Sequence, residues 1–404
     1  MNRARPQLIA LAVLALSALL AAGCGSGGSE PAGEDTAGGE SAAPAEGDAT
    51  DEATGDSAAA GGCDTSIGVM GPFTGDAASI GQEQLNWAQF AVDRYNEENG
   101  TAVELVEGDT QLDPAQATTV AQQFVSDDAI VAVVGPAGSQ EVEAVGPIFG
   151  PEDLAFVSAS ATATNLTDGT YPNFFRVVPS DAAQGPTDAA YMAEQLGAQN
   201  VFVIDDQTSY STGLADEATA ALEEAGVTVT RDSVSQDETD FSALVSNVGE
   251  DVDVVFLPWQ IAANAQVFAQ QMTEQGKQAV IFGSDGLFSP DDFDAEGAYV
   301  SSFAPDITSI DSSAELVEAY TAEYGEFGTF GPPVYAATVV VLDAIAAACA
   351  GGEAERAAVG EQIAQTDQPE SILGGPLAFD ENGDVEGAEF YIFQISGGEY
   401  TLVE

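Results

Sequence analysis

The stretch Ile67-Gly-Val-Met-Gly-Pro-Phe-Thr-Gly75 decides the fold, because it joins a short apolar run of strand type to a loop of Gly, Pro and Thr. An amphipathic stretch at about 82–96 follows it and predicts a helix. The alternation of strand and helix then repeats, which is typical of parallel sheets covered by helices on both faces. The next predicted strands lie at 103–107, 130–134 and 155–158.

The alternation breaks at Arg176-Val-Val-Pro179 and then starts again. Strands are predicted at 201–204, 227–230, 254–257 and 280–282, with helices between them. Further helices are predicted at about 314–324 and 335–349, and a last strand at 390–394. The sequence therefore predicts an α/β protein of two similar lobes, whose ligand binds beyond the carboxyl ends of the parallel strands.

The N-terminus has the pattern of an export signal. Arg3 and Arg5 precede an apolar run at 8–20 that is too short to span a bilayer, and small residues follow up to Cys24. This ending resembles the lipobox of bacterial lipoproteins, in which Cys24 would be lipidated; ordinary secretion is the alternative. Residues 25–62 contain no aromatic and no basic residue, so they are predicted to form a disordered acidic tether.

The chain is strongly acidic, with 67 Asp and Glu against 7 Lys and Arg and a net charge of −60. Nucleic acid is excluded as a partner, because phosphate binding needs basic patches that so few cations cannot form. A carboxylate-rich surface repels itself at low salt, which predicts a salt-tolerant host. The 45% hydrophobic residues are enough for proper cores.

The residue types that are missing exclude several kinds of chemistry. There is no His, so a Ser-His-Asp triad, a His-based zinc site and a His general base are all absent. Besides Cys24, only Cys63 and Cys349 remain. In an exported protein such a pair favours a disulfide over a metal or redox site.

A series of motifs runs through the chain: Ile67 to Gly75 with the helix that ends near Asn96, Val134-Gly-Pro136 with Ser139, Ser158-Ala-Ser-Ala-Thr162 with Asn165-Leu-Thr167, Phe174-Phe-Arg-Val-Val-Pro179, Tyr210 before Thr212-Gly213, Asp240-Phe-Ser242, Gly283-Ser-Asp-Gly286 and Tyr335-Ala-Ala337. In this order they resemble the branched-chain amino-acid (Leu/Ile/Val) binding proteins of ABC importers. The resemblance covers nearly everything after residue 63. It implies the type I periplasmic-binding-protein fold, two Rossmann-like lobes joined by three crossing strands that close on a ligand.

The resemblance implies a site for an α-amino acid. Its carboxylate is expected to be held by the hydroxyls of Ser139 and Thr162 and by nearby backbone N–H groups, with Gly138 in this set. Ser139 precedes a predicted helix at Gln140, and helix N-termini offer free N–H donors to anions. A simple capping role for Ser139 is the alternative, and the two roles are compatible.

The ammonium group is expected, by the same resemblance, on backbone groups at Ser160 and on the carboxylate of Asp285, with Tyr210 covering the ligand. The alternatives are a solvated loop charge at Asp285 and a core role for Tyr210. Ile80 stands where many relatives have an aromatic residue, and Trp259 stands near the Tyr-rich segment that the family has in the second lobe; both are expected to shape the side-chain pocket. This pair suits Leu, Ile or Val, but equally an amide or an aromatic acid.

The resemblance also divides the chain. A signal peptide (1–23) and a tether (24–62) precede lobe 1 (63–180 plus 308–388) and lobe 2 (181–307 plus 389–404). The family returns the late helix to lobe 1, where the start of a strand and the end of a helix lie at the same edge. A disulfide between Cys63 and Cys349 is therefore predicted, with two free thiols as the alternative.

The predicted function is that of a solute receptor with no catalysis, no metal and no cofactor. Lipidated Cys24 would anchor it to the outer face of the cell membrane, and lobe closure would deliver an amino-acid-like ligand to permease and ATPase subunits. The negative field favours zwitterions, amides or cations over glutamate. A sensory receptor and an importer receptor for amides, urea or aromatic acids are alternatives. A hydrolase using Ser139 or Ser158 is disfavoured, because His and a Gly-x-Ser-x-Gly motif are absent.

Overall fold

The computed structural model describes Cys63 and residues 65–352 and 354–403. The predicted signal peptide, the lipidation at Cys24 and the tether lie outside the described residues. The strands are β1 (Ser66–Gly71), β2 (Glu104–Asp109), β3 (Ile130–Val134), β4 (Ala155–Ser158), β5 (Phe174–Arg176), β6 (Asn200–Asp205), β7 (Thr228–Ser233), β8 (Val254–Leu257), β9 (Val280–Gly283), β10 (Tyr299–Ser302), β11 (Asp367–Gln368), β12 (Leu377–Ala378), β13 (Tyr391–Ser396) and β14 (Glu399–Leu402). The helices are α1 (Ala78–Asn99), α2 (Pro114–Val125), α3 (Ser139–Phe149), α4 (Asp181–Ala190), α5 (Ser209–Glu224), α6 (Ser242–Ser246), α7 (Ala262–Glu274), α8 (Ala314–Tyr324), α9 (Gly331–Ala350) and α10 (Arg356–Ile363).

Lobe 1 is built on a sheet of five parallel strands in the order β2-β1-β3-β4-β5. β1, β3 and β4 are buried at every residue, which explains why they stand out in the sequence as apolar runs. One hydrophobic cluster packs α1, α9 and α10 on one face of the sheet, and another packs α2 and α3 on the opposite face. The lobe is therefore a three-layer α/β sandwich.

Lobe 2 repeats this plan around a sheet of seven strands in the order β14-β13-β10-β9-β8-β6-β7. The strands from β6 to β10 run parallel, whereas β13 and β14 are antiparallel additions at one edge. α4 and α5 belong to the cluster on one face, and α6 and α7 to the cluster on the other. β10 was not predicted from the sequence, and its serines are buried.

The chain crosses between the lobes three times. The crossings are residues 177–180 after β5, 303–306 after β10 and the segment that leads from β12 to β13. The predicted fold class, an α/β protein of two Rossmann-like lobes, is confirmed. The three crossings are irregular segments rather than the predicted crossing strands, because residues 177–180, 303–306 and 379–390 belong to no strand. The lobe boundaries predicted at 180, 307 and 388 lie in or beside these segments and stay predictions.

α9 is the central helix of lobe 1. Among the described residues it alone is long and apolar enough to cross a membrane, yet most of it is buried against α1 and the sheet, as expected of a core helix. Near its C-terminal end Cys349 is bonded to Cys63, with the two Cα atoms 5.9 Å apart. This disulfide ties the segment before β1 to the end of α9.

Candidate ligand-binding site

The residues predicted to bind a ligand follow the carboxyl ends of parallel strands in both lobes. Ser139 begins α3 after β3, and Thr162 lies in the loop after β4. From lobe 2, Tyr210 lies in the first turn of α5 after β6, and Asp285 follows β9. Since strand ends of this kind form the ligand crevice of α/β sheets, the four residues come together where the lobes meet.

The two lobes touch across this crevice. Gln140 of α3 donates from Nε2 to Oε1 of Gln260 in lobe 2, at 2.9 Å. Beside this polar contact, Ala77 and Leu112 of lobe 1 form a small apolar cluster with Ile261 of lobe 2. A cavity of about 750 Å³ opens between the lobes along residues 111–119, 206–208 and 235–237.

The hydroxyl groups of lobe 1 differ in how many partners they have. Ser139 Oγ accepts the backbone N–H of Ala163 at 3.2 Å. Ser160 Oγ donates to the Ala137 carbonyl at 2.9 Å and accepts from Gln84 at 2.8 Å. By contrast, Thr162 is fully buried and its Oγ1 has no hydrogen-bond partner within the described part of the chain. Thr162 is thus the hydroxyl of this loop that still needs a partner.

The N-terminus of α3 is already engaged by a side chain of the protein. The N–H of Gly138 donates to Oε2 of Glu141 at 2.7 Å. Burial raises the pKa of Glu141 to about 7, and the hydrogen bond from Gly138 limits this rise. A ligand that binds the Gly138 N–H, as predicted, would therefore have to compete with the Glu141 carboxyl group. The Ser139 hydroxyl, in contrast, donates to no acceptor in the described chain.

Arg176 braces the loop that carries Thr162. Its guanidinium group is fully buried at the end of β5, donates from Nη1 to the carbonyl of Ala163 at 2.8 Å and is paired through Nε with Asp384. A second nitrogen donates to Thr167 at 2.8 Å. The charge and donors of Arg176 are therefore already paired within the protein.

Lobe 2 presents an acceptor that is held in place by hydrogen bonds. Oδ1 of Asp285 accepts from the Tyr210 hydroxyl at 2.6 Å and from Gln184 Nε2 at 2.7 Å. Burial raises the pKa of Asp285 to about 6, and these two donors limit the rise. Tyr210 is 2% exposed, so as placed here it packs and positions Asp285 rather than lying open on a surface.

Asp181 is a site residue that the sequence reasoning missed. It is the first residue of α4, its backbone N–H donates to the Thr162 carbonyl at 2.8 Å, and both of its carboxyl oxygens are buried with no hydrogen-bond partner in the described chain. Burial, reinforced by the nearby charge of Asp285, raises its pKa to about 8. The Thr162 hydroxyl is close enough to oppose this rise in pKa but is not placed for a full hydrogen bond. The sequence feature that could have pointed to Asp181 is its position directly after the first crossing between the lobes.

The two residues predicted to shape the side-chain pocket are placed differently. Ile80 belongs to a hydrophobic cluster at the lobe junction that also contains Ala137 and Phe288. Trp259 lies inside lobe 2, 5.1 Å from the ring of Phe241, and its Nε1 donates to a backbone carbonyl at 2.7 Å. Contact of Trp259 with a ligand stays a prediction, and the side chain that follows it, Gln260, is the one that reaches across the crevice.

The crevice carries buried acceptors from both lobes. Thr162 and Asp181 supply buried acceptors without partners, and Asp285 supplies a third acceptor that is anchored. Buried carboxyl groups of this kind are costly unless a donor or a cation meets them. The hydroxyl of Ser139 at the start of α3 offers a donor to an anion on the opposite side.

Comparison with known proteins identifies the family of this chain. Residues 64–399 match the family model described as periplasmic binding protein. The chain is 29% identical over 354 residues to a Leu/Ile/Val-binding protein of Rhizobium johnstonii, covering 84% of this chain and 94% of the relative. It is 30% identical over 348 residues to a Leu/Ile/Val-binding protein homologue of Brucella abortus, covering 83% and 91%.

A solved structure shares the fold. The crystal structure of a leucine-binding protein from Thermotoga maritima superposes with a TM-score of 0.77 at 25% identity, covering 84% of this chain and 98% of the other. Family match, relatives and structure agree over the same part of the chain. The protein therefore belongs to the periplasmic binding protein family, among the branched-chain amino acid substrate-binding proteins of ABC transporters, which bind solutes and are not enzymes.

Proposed function

We propose that this protein is a lipid-anchored, extracytoplasmic receptor that binds a branched-chain amino acid by lobe closure and passes it to an ABC permease. The names of its relatives from Rhizobium and Brucella support the ligand class. The proposed ligand residues are Ser139, Ser160, Thr162, Tyr210 and Asp285 from the sequence, to which the structure leads us to add Asp181.

The observation that carries the proposal is the set of buried acceptors at the lobe junction. Asp181 contributes two carboxyl oxygens without partners, and the Thr162 hydroxyl lies beside it. An ammonium group has three N–H donors and a positive charge, so it satisfies such acceptors and removes the cost of burying the charge. An uncharged amide or an aromatic acid supplies no such cation.

The apolar surface at the junction supports an aliphatic side chain on the ligand. Ile80 and Ala137 from lobe 1 share one hydrophobic cluster with Phe288 of lobe 2 and with Phe330. All four residues are less than 9% exposed. Burying a Leu, Ile or Val side chain at such a junction contributes roughly 1.5–3 kcal/mol.

The binding test is isothermal titration calorimetry of residues 25–404 in high salt against leucine, isoleucine, valine, glutamate, small amides and aromatic acids. We expect the three branched-chain amino acids to bind and glutamate to bind much less. Asp285→Asn should weaken leucine binding tenfold or more, because a hydrogen bond to a charged group is lost. Asp291→Asn is the matched control, since Asp291 is exposed in the same loop region.

If only amides or aromatic acids bind, the ligand is not an amino acid, although the assignment of the fold is unaffected.

Leucine uptake by the host, compared between cells with and without this protein, separates import from sensing. For the anchor, the full chain should fractionate with membranes, and Cys24→Ser should release it. Membrane association that survives this substitution would refute lipidation at Cys24.

A further inference from the structure

A row of buried polar side chains lies behind Asp285 in lobe 2. Gln184 of α4 donates from Nε2 to Oδ1 of Asp285 at 2.7 Å and to Oγ of Ser301 at 3.0 Å. Ser301 on β10 in turn donates to Oδ2 of Asp188 at 3.1 Å. Gln184, Ser301 and Asp188 are each 0% exposed, so water does not supply these hydrogen bonds.

The row fixes which way the Gln184 amide faces. Both acceptors, Asp285 and Ser301, are met by the amide nitrogen, and a flipped amide would set its carbonyl oxygen against the Asp285 carboxylate. Burial raises the pKa of Asp188 well above its usual range, which disfavours a negative charge at the far end of the row.

We propose that Gln184, held by Ser301 and Asp188, is a positioning residue that keeps the Asp285 carboxylate aimed at the ligand's ammonium group. The proposal rests on the proposed function, because it takes Asp285 as the partner of an ammonium ion. It assigns the row a role in ligand affinity, in addition to any role in folding.

The groups that face Asp285 leave Gln184 without a substitute. Tyr210 on α5 already donates to the same oxygen. The carboxyl groups of Asp181 and Asp188 on α4 make no hydrogen bond to Asp285, and the cation Arg176 on β5 is paired with Asp384. A hydrogen bond donated to a carboxylate lowers its pKa, so loss of the Gln184 donor should raise the pKa of Asp285 further, by about one unit.

The test is the pH profile of leucine affinity between pH 5.5 and 8.5, measured calorimetrically for the wild type, Gln184→Leu and Ser301→Ala. With the pKa of Asp285 at about 6 in the wild type, a rise of about one unit makes Gln184→Leu bind about five-fold more weakly at pH 6 and almost equally at pH 8. Ser301→Ala should shift the profile in the same direction by a smaller amount.

Gln195→Leu is the matched control, because Gln195 is exposed in the π-helical turn that follows α4. Gln184→Met provides a second variant without the donor, and Ser301→Ala tests the row with Gln184 in place if neither Gln184 variant folds. A loss of affinity that is the same at every pH, or no loss at all, would overturn the proposal. If the wild type does not bind leucine, or if Asp285→Asn binds it normally, the proposed function fails instead.

Discussion

Replacing Asp181 with Asn is expected to stabilise the ligand-free protein and, at the same time, to weaken its binding of an amino acid. The carboxyl group of Asp181 is fully buried, and neither oxygen has a hydrogen-bond partner in the described chain. Burial and the charge of Asp285 raise its pKa from 3.8 to about 8. The unliganded fold therefore carries a group that resists ionisation.

The sign and size follow from this pKa. Because the folded-state pKa lies above the unfolded one, the contribution of Asp181 to stability is fully present below pH 3.8 and is lost as the pH rises through about 8. At pH 7 the loss is at most about 4 kcal/mol, from about 1.4 kcal/mol per pH unit over roughly three units. Asn cannot ionise, so the variant avoids this loss. For a folded part of roughly 340 residues this corresponds to a melting temperature higher by about 6 °C.

The assay is thermal unfolding of the wild type and Asp181→Asn between pH 4 and pH 8 without ligand, followed by calorimetry with leucine. The two melting curves should coincide near pH 4 and separate towards pH 8. Leucine affinity should fall tenfold or more at pH 7, because a charged hydrogen bond to the ammonium is removed. Asp188→Asn should share the gain in stability, since burial also raises the pKa of Asp188. A variant that is less stable at pH 7, or a gain that does not depend on pH, would refute the reasoning.

Four further outcomes are expected. Leucine binding at pH 7 should release up to about one proton, as the ammonium lowers the raised pKa of Asp181; equal calorimetric enthalpies in buffers of different ionisation enthalpy would contradict this. Gln260→Ala should weaken leucine binding about five-fold by removing the contact with Gln140 across the crevice. In small-angle scattering at a leucine concentration below saturation, the radius of gyration of this variant should decrease less than that of the wild type. Cys63→Ser with Cys349→Ser should lower the free energy of unfolding by up to about 6 kcal/mol, since the bond spans 286 residues, as measured by denaturant unfolding. Stability should rise from low to molar salt, because the net charge is −60; a flat salt dependence of the unfolding midpoint would count against it.

The strands were predictable because burial on both faces leaves a local trace. β3 and β8 appear in the sequence as apolar, mostly β-branched runs, and the structure places each of them inside its sheet with a parallel strand on both sides. β10 was missed for the opposite reason. Ser301 and Ser302 occupy half of this short strand and are fully buried, Ser301 within the polar row. Polar residues of this kind are typical of loops until their partners in other elements are known.

Some residues of the candidate site could be predicted from the sequence and others could not. Asp285 was found because its Gly-Ser-Asp-Gly motif follows an apolar strand, whereas Asp181 looks like an ordinary acid in the first turn of a helix. Among 67 acidic residues nothing local marks those that are buried. Burial of Asp181 depends on the packing of α4 and on the loop around Thr162, which belong to different lobes. Only the folded chain brings them together.

Under the proposed function, the buried acids would also couple ligand binding to lobe closure. When the lobes meet, Thr162 from lobe 1 is set against Asp181 from lobe 2, and neither side chain has a hydrogen-bond partner within the described structure. Closing the empty crevice therefore leaves a carboxyl group desolvated beside the charge of Asp285, which disfavours the closed state. An ammonium group at this point supplies both the donors and the opposite charge, so the same acids that oppose empty closure favour liganded closure. Because a ligand shifts an equilibrium only by its difference in affinity between the two states, we expect Asp181 and Asp285 to be the part of the proposed site that makes closure depend on the ligand.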